Sequence, residues 1–213
     1  MANATIGIDT HQNSAGSYEA ELLINHQPLR SLLSELTGDS TLLELDLAWD
    51  KKLTSQAETT YIQALLQQKS SGNVPLLLCP DDLDFSCTII VVDIHYAETT
   101  VHWGRLGYVS KDHYVLEDWL KSGYMNYETW TPEDCERYAE DYFFKDSQQI
   151  DWPKLWSLEW LEEELRRVWN YYHPYFNGDA NIEWLTDLDW SFPAADYNKA
   201  LKQLSDLSIQ DSF

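Results

Sequence analysis

The sequence predicts an α+β protein that has a central, mostly antiparallel sheet, flanking helices and a helical, tryptophan-rich C-terminal part. Two strongly apolar segments, residues 89–96 and 101–109, have the composition and the period of two that are typical of β-strands, and the residues between them have the length of a hairpin loop. Amphipathic helical patterns lie on both sides of this hairpin, and no regular strand-helix alternation indicates a parallel sheet. Local strand pairing with separate helices favours the α+β class.

Further strands are predicted before the central hairpin. Residues 5–9 and 18–24 are short apolar runs, and residues 11–16 between them are polar and predict a loop. Residues 41–49 alternate leucines with acidic side chains, which is typical of a strand with one buried face. Residues 74–78 form another apolar strand, which leads towards the hairpin.

Two helices are predicted in the first half of the chain. Pro28 is suited to open a helix, and Gly38 is suited to end it. Ser55 and Glu58 have the spacing of a capping box at the start of a second helix, and Gly72 lies shortly past its end. The apolar stripes are Leu29, Leu32, Leu33 and Leu36 in the first helix and Tyr61, Ile62, Leu65 and Leu66 in the second.

The central hairpin collects polar side chains on one face. If its turn centres on residues 98–99, His95 lies opposite His102, and Asp93 lies opposite Gly104. Asp93, His95 and His102 then share a face, which is ordinary for the solvated side of an antiparallel sheet. The alternative is a zinc site, because two imidazoles and a carboxylate are zinc ligands.

Two helices are predicted shortly after the hairpin. Residues 116–123 predict a short helix, and Thr131, followed by a proline, is the expected N-cap of a longer one. Cys135 lies on the apolar face of the longer helix and is interpreted as a core thiol. Glu140 and Asp141 lie mainly outside that face.

The most regular pattern in the chain is a long amphipathic helix over residues 153–171. Glu162 and Glu163 lie on its outer face, each four residues before an arginine, and predict surface ion pairs. His173 and Pro174 are predicted to end this helix, with His173 in a loop.

The last elements are a short alternating segment and a helix. Residues 185–190 alternate carboxylates with apolar side chains and predict either a loop or an edge strand. Ser191 is the predicted N-cap of a final helix that continues through Leu204.

The chain is strongly acidic. Its 213 residues include 36 acidic and 14 basic side chains, a net charge of -22. Residues 1–111 hold 14 acidic and 6 basic side chains, net -8, whereas residues 112–213 hold 22 and 8, net -14, and eight of the ten tryptophans. We therefore predict a sheet-rich core over residues 1–111 and an acidic, aromatic-rich helical portion over residues 112–213, packed on the core as one compact unit. A field of this sign repels nucleic acid and anionic membranes and attracts basic proteins.

Compartment and chemistry follow from what the sequence contains. Three cysteines, no basic-plus-apolar leader and no long apolar run predict a cytoplasmic protein. No nucleophile elbow, P-loop, dinucleotide fingerprint or H-E-x-x-H motif occurs, so we predict neither an enzyme nor a cofactor. Cys79 and Cys87 lack the C-x2-C spacing that is typical of metal knuckles and redox pairs, and no metal is predicted there.

Residues 74–109 resemble the core of a family of uncharacterised bacterial proteins, in which an apolar strand leads into C-P-x-C-G-D-x-x-C-G and then into a strand hairpin that carries a tryptophan. Asp82 stands in place of the middle cysteine of that pattern, and Leu83 and Thr88 in place of its glycines. The matching residues are Cys79, Pro80, Asp84, Cys87 and Trp103. The family resembles the immunity partners of bacterial toxin systems, so the resemblance implies an immunity protein.

Charge and resemblance together predict a protein that binds and blocks a basic partner, specifically an antitoxin whose carboxylates occupy the cationic site of a nuclease-like toxin. Two alternatives are a metal-dependent hydrolase that uses Asp93, His95 and His102, and a non-enzymatic scaffold protein. The predicted contacts with the basic partner are Asp81, Asp82, Asp84, Glu140, Asp141, Glu162 and Glu163.

Overall fold

The computed structural model describes residues 2–12, 18–49, 53–110 and 158–210, which form two sheets and four α-helices in an α+β arrangement. The strands are β1 (Ala2–Asn3), β2 (Ile6–Gln12), β3 (Tyr18–Ile24), β4 (Gln27–Pro28), β5 (Asp46–Leu47), β6 (Gly72–Leu78), β7 (Ile89–Tyr96), β8 (Thr100–Val109) and β9 (Ile182–Pro193). The helices are α1 (Leu29–Thr37), α2 (Gln56–Gln68), α3 (Leu158–Phe176) and α4 (Ala194–Gln210), with 3₁₀ turns at Ser40–Glu44 and Asp179–Asn181.

The larger sheet is central and almost entirely antiparallel, as predicted. Its six strands have the order β1-β9-β8-β7-β6-β5, and only β1 and β9 run parallel. Strand β9, from the C-terminal part of the chain, lies between β1 and β8. The second half of the chain therefore supplies a strand as well as helices, and the division at residue 111 stays a prediction.

The predicted hairpin joins β7 to β8. The Ala97 N–H donates to the Thr100 carbonyl at 2.9 Å, and His95 pairs with His102. The register then shifts between Val92 and Ile94, which marks a β-bulge. Gly104 faces Asp93 there, because a Cβ on Gly104 would lie 3.1 Å from Asp93 Oδ2.

The expectation that β7 has one solvated face is wrong for most of the strand. Side chains from both alternating sets, including Ile89, Ile90, Val91 and Val92, are buried. Since alternate side chains point to opposite faces, this part of the sheet is covered on both sides. Only the end of β7 is polar and accessible, where His95 is exposed.

The smaller sheet contains β2, β3 and β4, and α1 follows it directly. Strand β2 extends to Gln12, so the predicted loop at residues 11–16 begins later than expected. Helix α1 follows Pro28 and ends at Gly38, whose φ of 74° is the left-handed conformation that glycine adopts readily.

The predicted strand over residues 41–49 is wrong. Asp39 Oδ1 accepts hydrogen bonds from the Thr41 N–H at 2.9 Å and the Thr41 hydroxyl at 2.7 Å, which caps a 3₁₀ turn. Leu42 and Leu45 are buried, whereas Leu43 is 47% exposed. The 3₁₀ turn therefore buries Leu42 and exposes Leu43, which a strand with Leu43, Leu45 and Leu47 on one buried face would not do, and the only strand in this segment is the two-residue β5.

Helix α3 passes through the predicted stop at His173 and Pro174 and ends at Phe176. Tyr172 and Phe176 are buried, and the Asn177 N–H donates to the His173 carbonyl at 3.2 Å. A proline in the last turn removes only one helical hydrogen bond, and burial of these aromatic side chains holds the final turn.

Of two predictions for the C-terminal elements, the edge-strand alternative holds over most of its segment and the helix cap is wrong. The segment at residues 185–190 belongs to the long strand β9, which β1 borders only at Trp190 and Ser191. Ser191 is a buried residue of β9 and not a helix cap, because α4 begins at Ala194. The final helix itself is confirmed. The helices predicted at residues 116–123 and after Thr131 lie outside the described residues.

The helices cover the sheet with aromatic contacts. Trp103 is fully buried, and its Nε1 donates to the Tyr197 hydroxyl of α4 at 3.3 Å. The Tyr61 hydroxyl of α2 and Nδ1 of His173 in α3 are 3.1 Å apart. None of the helices in the described ranges is long and apolar enough to cross a membrane.

Candidate functional site

The loop between β6 and β7, residues 79–88, is the centre of the candidate site. The Cys79 N–H donates to the Thr88 carbonyl at 3.1 Å, and the Leu83 N–H donates to the Cys79 carbonyl at 3.0 Å. The Thr54 N–H, from the segment before α2, donates to the Leu83 carbonyl at 2.9 Å. Leu83 has a φ of 48°, a left-handed conformation that is uncommon for a residue other than glycine. Backbone hydrogen bonds therefore define the shape of this loop.

The loop brings together two cysteines and a carboxylate. The thiol sulfurs of Cys79 and Cys87 and a carboxylate oxygen of Asp82 all lie within 4.8 Å of one another. Both thiols are free and half-buried, and Asp82 is exposed. Burial, followed by hydrogen bonding with Cys79, raises the pKa of the Cys87 thiol, so the protonated form is favoured. A thiol in this state is a weak nucleophile.

Asp84 and Phe85 fix the second half of the loop. Asp84 Oδ1 accepts hydrogen bonds from the Ser86 N–H at 2.8 Å and from the Ser86 hydroxyl at 2.6 Å. Phe85 is fully buried and makes edge contacts with Tyr172 and Phe176 of α3, with ring centroids 5.1 and 5.2 Å apart. A buried phenylalanine thus ties the acidic loop to α3.

Glu58 is a buried carboxyl group behind this loop, and its spacing from Ser55 had indicated only a capping box. The Glu58 N–H donates to Ser55 Oγ at 3.3 Å, as a capping box requires, but Glu58 Oε2 accepts from the Phe85 N–H at 3.1 Å. Burial first, then the nearby charge of Asp84 and the weaker effect of Glu164, together raise the pKa of Glu58 to about 8, although the hydrogen bond from the Phe85 N–H opposes the shift. The charges of Asp84 in the loop and of Glu164 in α3 therefore both disfavour ionisation of Glu58.

Helix α3 carries two of the other predicted acidic contacts, Glu162 and Glu163. Glu162 is exposed on its surface, and the structure describes the backbone but not the side chain of Glu163. Arg167, the predicted partner of Glu163, is only 5% exposed and so does not lie on the outer face of the helix. Glu140 and Asp141 lie outside the described residues, and their role stays a prediction.

The alternative cluster at the hairpin is assembled in part. His95 Nε2 lies 3.1 Å from Asp93 Oδ1, and the rings of His95 and His102 stack with centroids 6.4 Å apart. Asp93 also lies 3.9 Å from Arg105. Within the described chain, Cys79, Asp82 and Cys87 are the only group of three such residues whose ligand atoms all lie within 4.8 Å of one another. Asp93, His95 and His102 share a face, as predicted, without meeting that distance.

Strand β9 presents an acidic and aromatic surface that was not assigned to the site from sequence. Glu183, Asp187 and Asp189 are exposed along it. The Arg105 guanidinium lies 3.8 Å from the ring centroid of Trp184. The sequence signal for this surface was the alternation of carboxylates and apolar residues. That pattern predicted a loop or an edge strand, but it did not show that the segment pairs with β8.

No family model matches the chain, and neither a curated protein nor a solved structure does.

Proposed function

We propose that this chain is an acidic protein-binding inhibitor, specifically a cytoplasmic immunity protein or antitoxin that neutralises a basic, nuclease-like bacterial toxin. The proposal combines the net charge of -22 with the resemblance at residues 74–109. Nucleic acid and membranes are not proposed as partners, because a strongly acidic surface repels anionic polymers and anionic lipids.

The observation that carries the proposal is the convergence of acidic side chains from two elements. Phe85 packs the loop against α3, and the charges of Asp84 in the loop and Glu164 in α3 both raise the pKa of Glu58. The exposed carboxylates of Asp81 and Glu162 lie in these same two elements. A toxin that holds phosphate with Lys and Arg presents the complementary charge.

The mechanism is electrostatic occupation of the toxin's cationic site. Long-range attraction accelerates encounter, and carboxylates then pair with the Lys and Arg side chains that otherwise hold the nucleic acid backbone. Aromatic side chains among carboxylates, such as Trp184, whose Nε1 donates to Asp179 Oδ1 at 3.3 Å, suit the same kind of partner because tryptophan is enriched at interfaces.

Neutralising Asp81 and Glu162 together is expected to weaken binding of the basic partner. Exposed ion pairs contribute about 0.2–1 kcal/mol each, so Asp81→Asn with Glu162→Gln should lower affinity by about 2- to 30-fold at low salt. Asp82 is left unchanged because its carboxylate lies beside two thiols. The measurement is recovery of partners from the native cells on tagged protein at low and high salt, followed by titration of the recovered partner against both proteins.

The matched control neutralises two other exposed carboxylates, which lie at the opposite end of the sheet. Glu98 lies in the β7–β8 turn, and Asp196 lies at the start of α4, whose Ala194 N–H donates to the Thr99 carbonyl. Strand β7 separates this end from the loop by roughly 25 Å, at about 3.3 Å per residue. Glu98→Gln with Asp196→Asn should leave affinity unchanged. Equal weakening by both pairs would refute the contact assignment.

The recovered partner must also be a basic enzyme that this chain inhibits in near-equal amount. We expect cleavage of nucleic acid by that partner to stop once the inhibitor is equimolar, and to return as salt is raised. Recovery of no basic protein, or of one whose activity is unaffected, would refute the inhibitor proposal and favour the scaffold alternative.

A further inference from the structure

Cys79, Asp82 and Cys87 form a cluster of ligand-type side chains in the loop between β6 and β7. Cys79 follows β6, Cys87 precedes β7, and Asp82 lies in the turn between them. Their three potential ligand atoms lie within 4.8 Å of one another. We propose that this loop binds a zinc ion through Cys79 Sγ, Cys87 Sγ and the Asp82 carboxylate, with a fourth position open to water or an added ligand.

The spacing of the three atoms suits a tetrahedral ion. Zinc binds thiolate sulfur at about 2.3 Å and carboxylate oxygen at about 2.0–2.2 Å, which places neighbouring donors roughly 3.3–3.8 Å apart. The donors in this loop lie within 4.8 Å of one another, so they need to approach by at most about 1–1.5 Å. Two residues separate Cys79 from Asp82, as they do in many pairs of zinc ligands.

The backbone holds the ligands in position without a contribution from the ion. The Cys79 N–H bonds to the Thr88 carbonyl beside Cys87, so both cysteines are anchored to one rung at the end of the sheet. The Leu83 N–H donates a hydrogen bond to the Cys79 carbonyl, so the turn that contains Asp82 folds back towards Cys79. A preformed loop reduces the ordering that metal binding would otherwise require.

The donor set selects the class of metal. Two thiolates favour a borderline-soft ion such as Zn²⁺ over Ca²⁺ or Mg²⁺, which prefer all-oxygen sites. Binding of the ion displaces the two thiol protons, which are released to solvent. Because Asp82 is exposed, the fourth position faces solvent, as in zinc sites with three protein ligands.

This inference goes beyond the proposed inhibitor function and does not rest on it. It also differs from the predicted alternative at Asp93, His95 and His102, whose ligand atoms do not meet the same distance. Metal binding is measured on the isolated chain, so its failure would leave the inhibitor proposal intact.

Zinc titration of the reduced, chelator-treated full chain tests the proposal, with a chromogenic chelator as competitor. We expect one Zn²⁺ per chain. Since loss of a supporting outer residue costs about 10- to 100-fold in affinity, loss of a direct thiolate in Cys79→Ser or Cys87→Ser should cost more than about 100-fold. Asp82→Asn should weaken binding less, and Asp82→Cys should tighten it.

Two control variants test whether zinc binding depends on these three residues and not simply on the number of thiols or carboxylates in the chain. Cys135→Ser removes the third cysteine, and Asp81→Asn removes the neighbouring exposed carboxylate. Both should bind zinc with unchanged affinity. Absence of zinc binding by the unaltered reduced chain, or equal loss in Cys79→Ser and Cys135→Ser, would overturn the proposal.

Cobalt substitution gives a second readout that does not depend on affinity alone. Co²⁺ in a tetrahedral site with thiolates shows sulfur-to-metal charge-transfer absorption, and Cys79→Ser should reduce this band by about half because one of two thiolates is lost. Urea denaturation of the metal-free variants checks that they are folded. A disulfide between Cys79 and Cys87 under reducing conditions, with no cobalt spectrum, would instead contradict the metal site.

Discussion

Replacing Glu58 with glutamine is expected to stabilise the protein at pH 8 and to leave its stability nearly unchanged at pH 4. The pKa of Glu58 is raised from 4.5 to about 8 by burial first and by Asp84 and Glu164 next. A raised carboxyl pKa contributes stability that is complete below the unfolded value and is lost as pH rises through the folded value. Between pH 5 and pH 8 the resulting loss of folding stability is roughly 3 kcal/mol.

Urea denaturation of the unaltered chain and of Glu58→Gln at several pH values measures this effect. Glutamine keeps an oxygen that accepts from the Phe85 N–H, so the hydrogen bond is retained while the charge is removed. The control is Glu98→Gln, which removes one exposed carboxylate from the hairpin turn and should show no comparable pH dependence. A stability difference that is the same at pH 5 and pH 8 would contradict the burial of an ionisable Glu58.

Replacing Phe85 with alanine is expected to destabilise the protein by about 3–5 kcal/mol, the usual cost of truncating a fully buried phenylalanine. Phe85 is buried completely between α2 and α3, where its ring contacts Tyr61, Tyr172 and Phe176. The substitution leaves a cavity between the two helices and removes the side chain that anchors the acidic loop. Urea denaturation at a single pH gives the change in unfolding free energy.

Phe85→Leu separates lost volume from lost aromatic contact. Leucine retains most of the buried surface, so the cost should fall to roughly 1–2 kcal/mol, near that of other hydrophobic core exchanges. Leu36→Ala is a surface control, because Leu36 is 48% exposed at the end of α1. A loss of less than about 1 kcal/mol for Phe85→Ala would mean that the loop is not anchored there.

The elements that were predicted correctly are those whose signals are local. The β7–β8 hairpin follows from two apolar strands and a short turn, and His95 pairs with His102 as the turn position requires. Helix α1 begins after Pro28 and ends at Gly38 because both residues have restricted or unusual backbone preferences. These features need no information from distant parts of the chain.

The wrong predictions arose where local patterns permit two structures. Residues 41–49 alternate like a strand, but the carboxylate of Asp39 caps a 3₁₀ turn that buries Leu42 and exposes Leu43. Pro174 commonly ends a helix, but α3 continues because Tyr172 and Phe176 are buried against the rest of the protein. The outcome in each case depends on which side chains the tertiary structure buries.

Some features of the candidate site were likewise evident from the sequence, and others were not. The acidity of residues 81–84, and the presence of two cysteines nearby, are evident from the sequence, and so is the sign of the expected partner. The sequence did not reveal that Glu58 lies behind the loop or that Glu164 of α3 acts on it, because these groups are far apart along the chain.

By itself, then, the sequence determined the α+β class, the hairpin, the capped helices and the net negative charge, because periodicity, backbone preference and composition are local or additive properties. The tertiary structure alone decided that β9 joins the central sheet, that both faces of β7 are covered, and that Cys79, Asp82 and Cys87 meet. Each of these depends on the distances between groups that the folded backbone brings together, and composition and spacing along the chain do not define those distances.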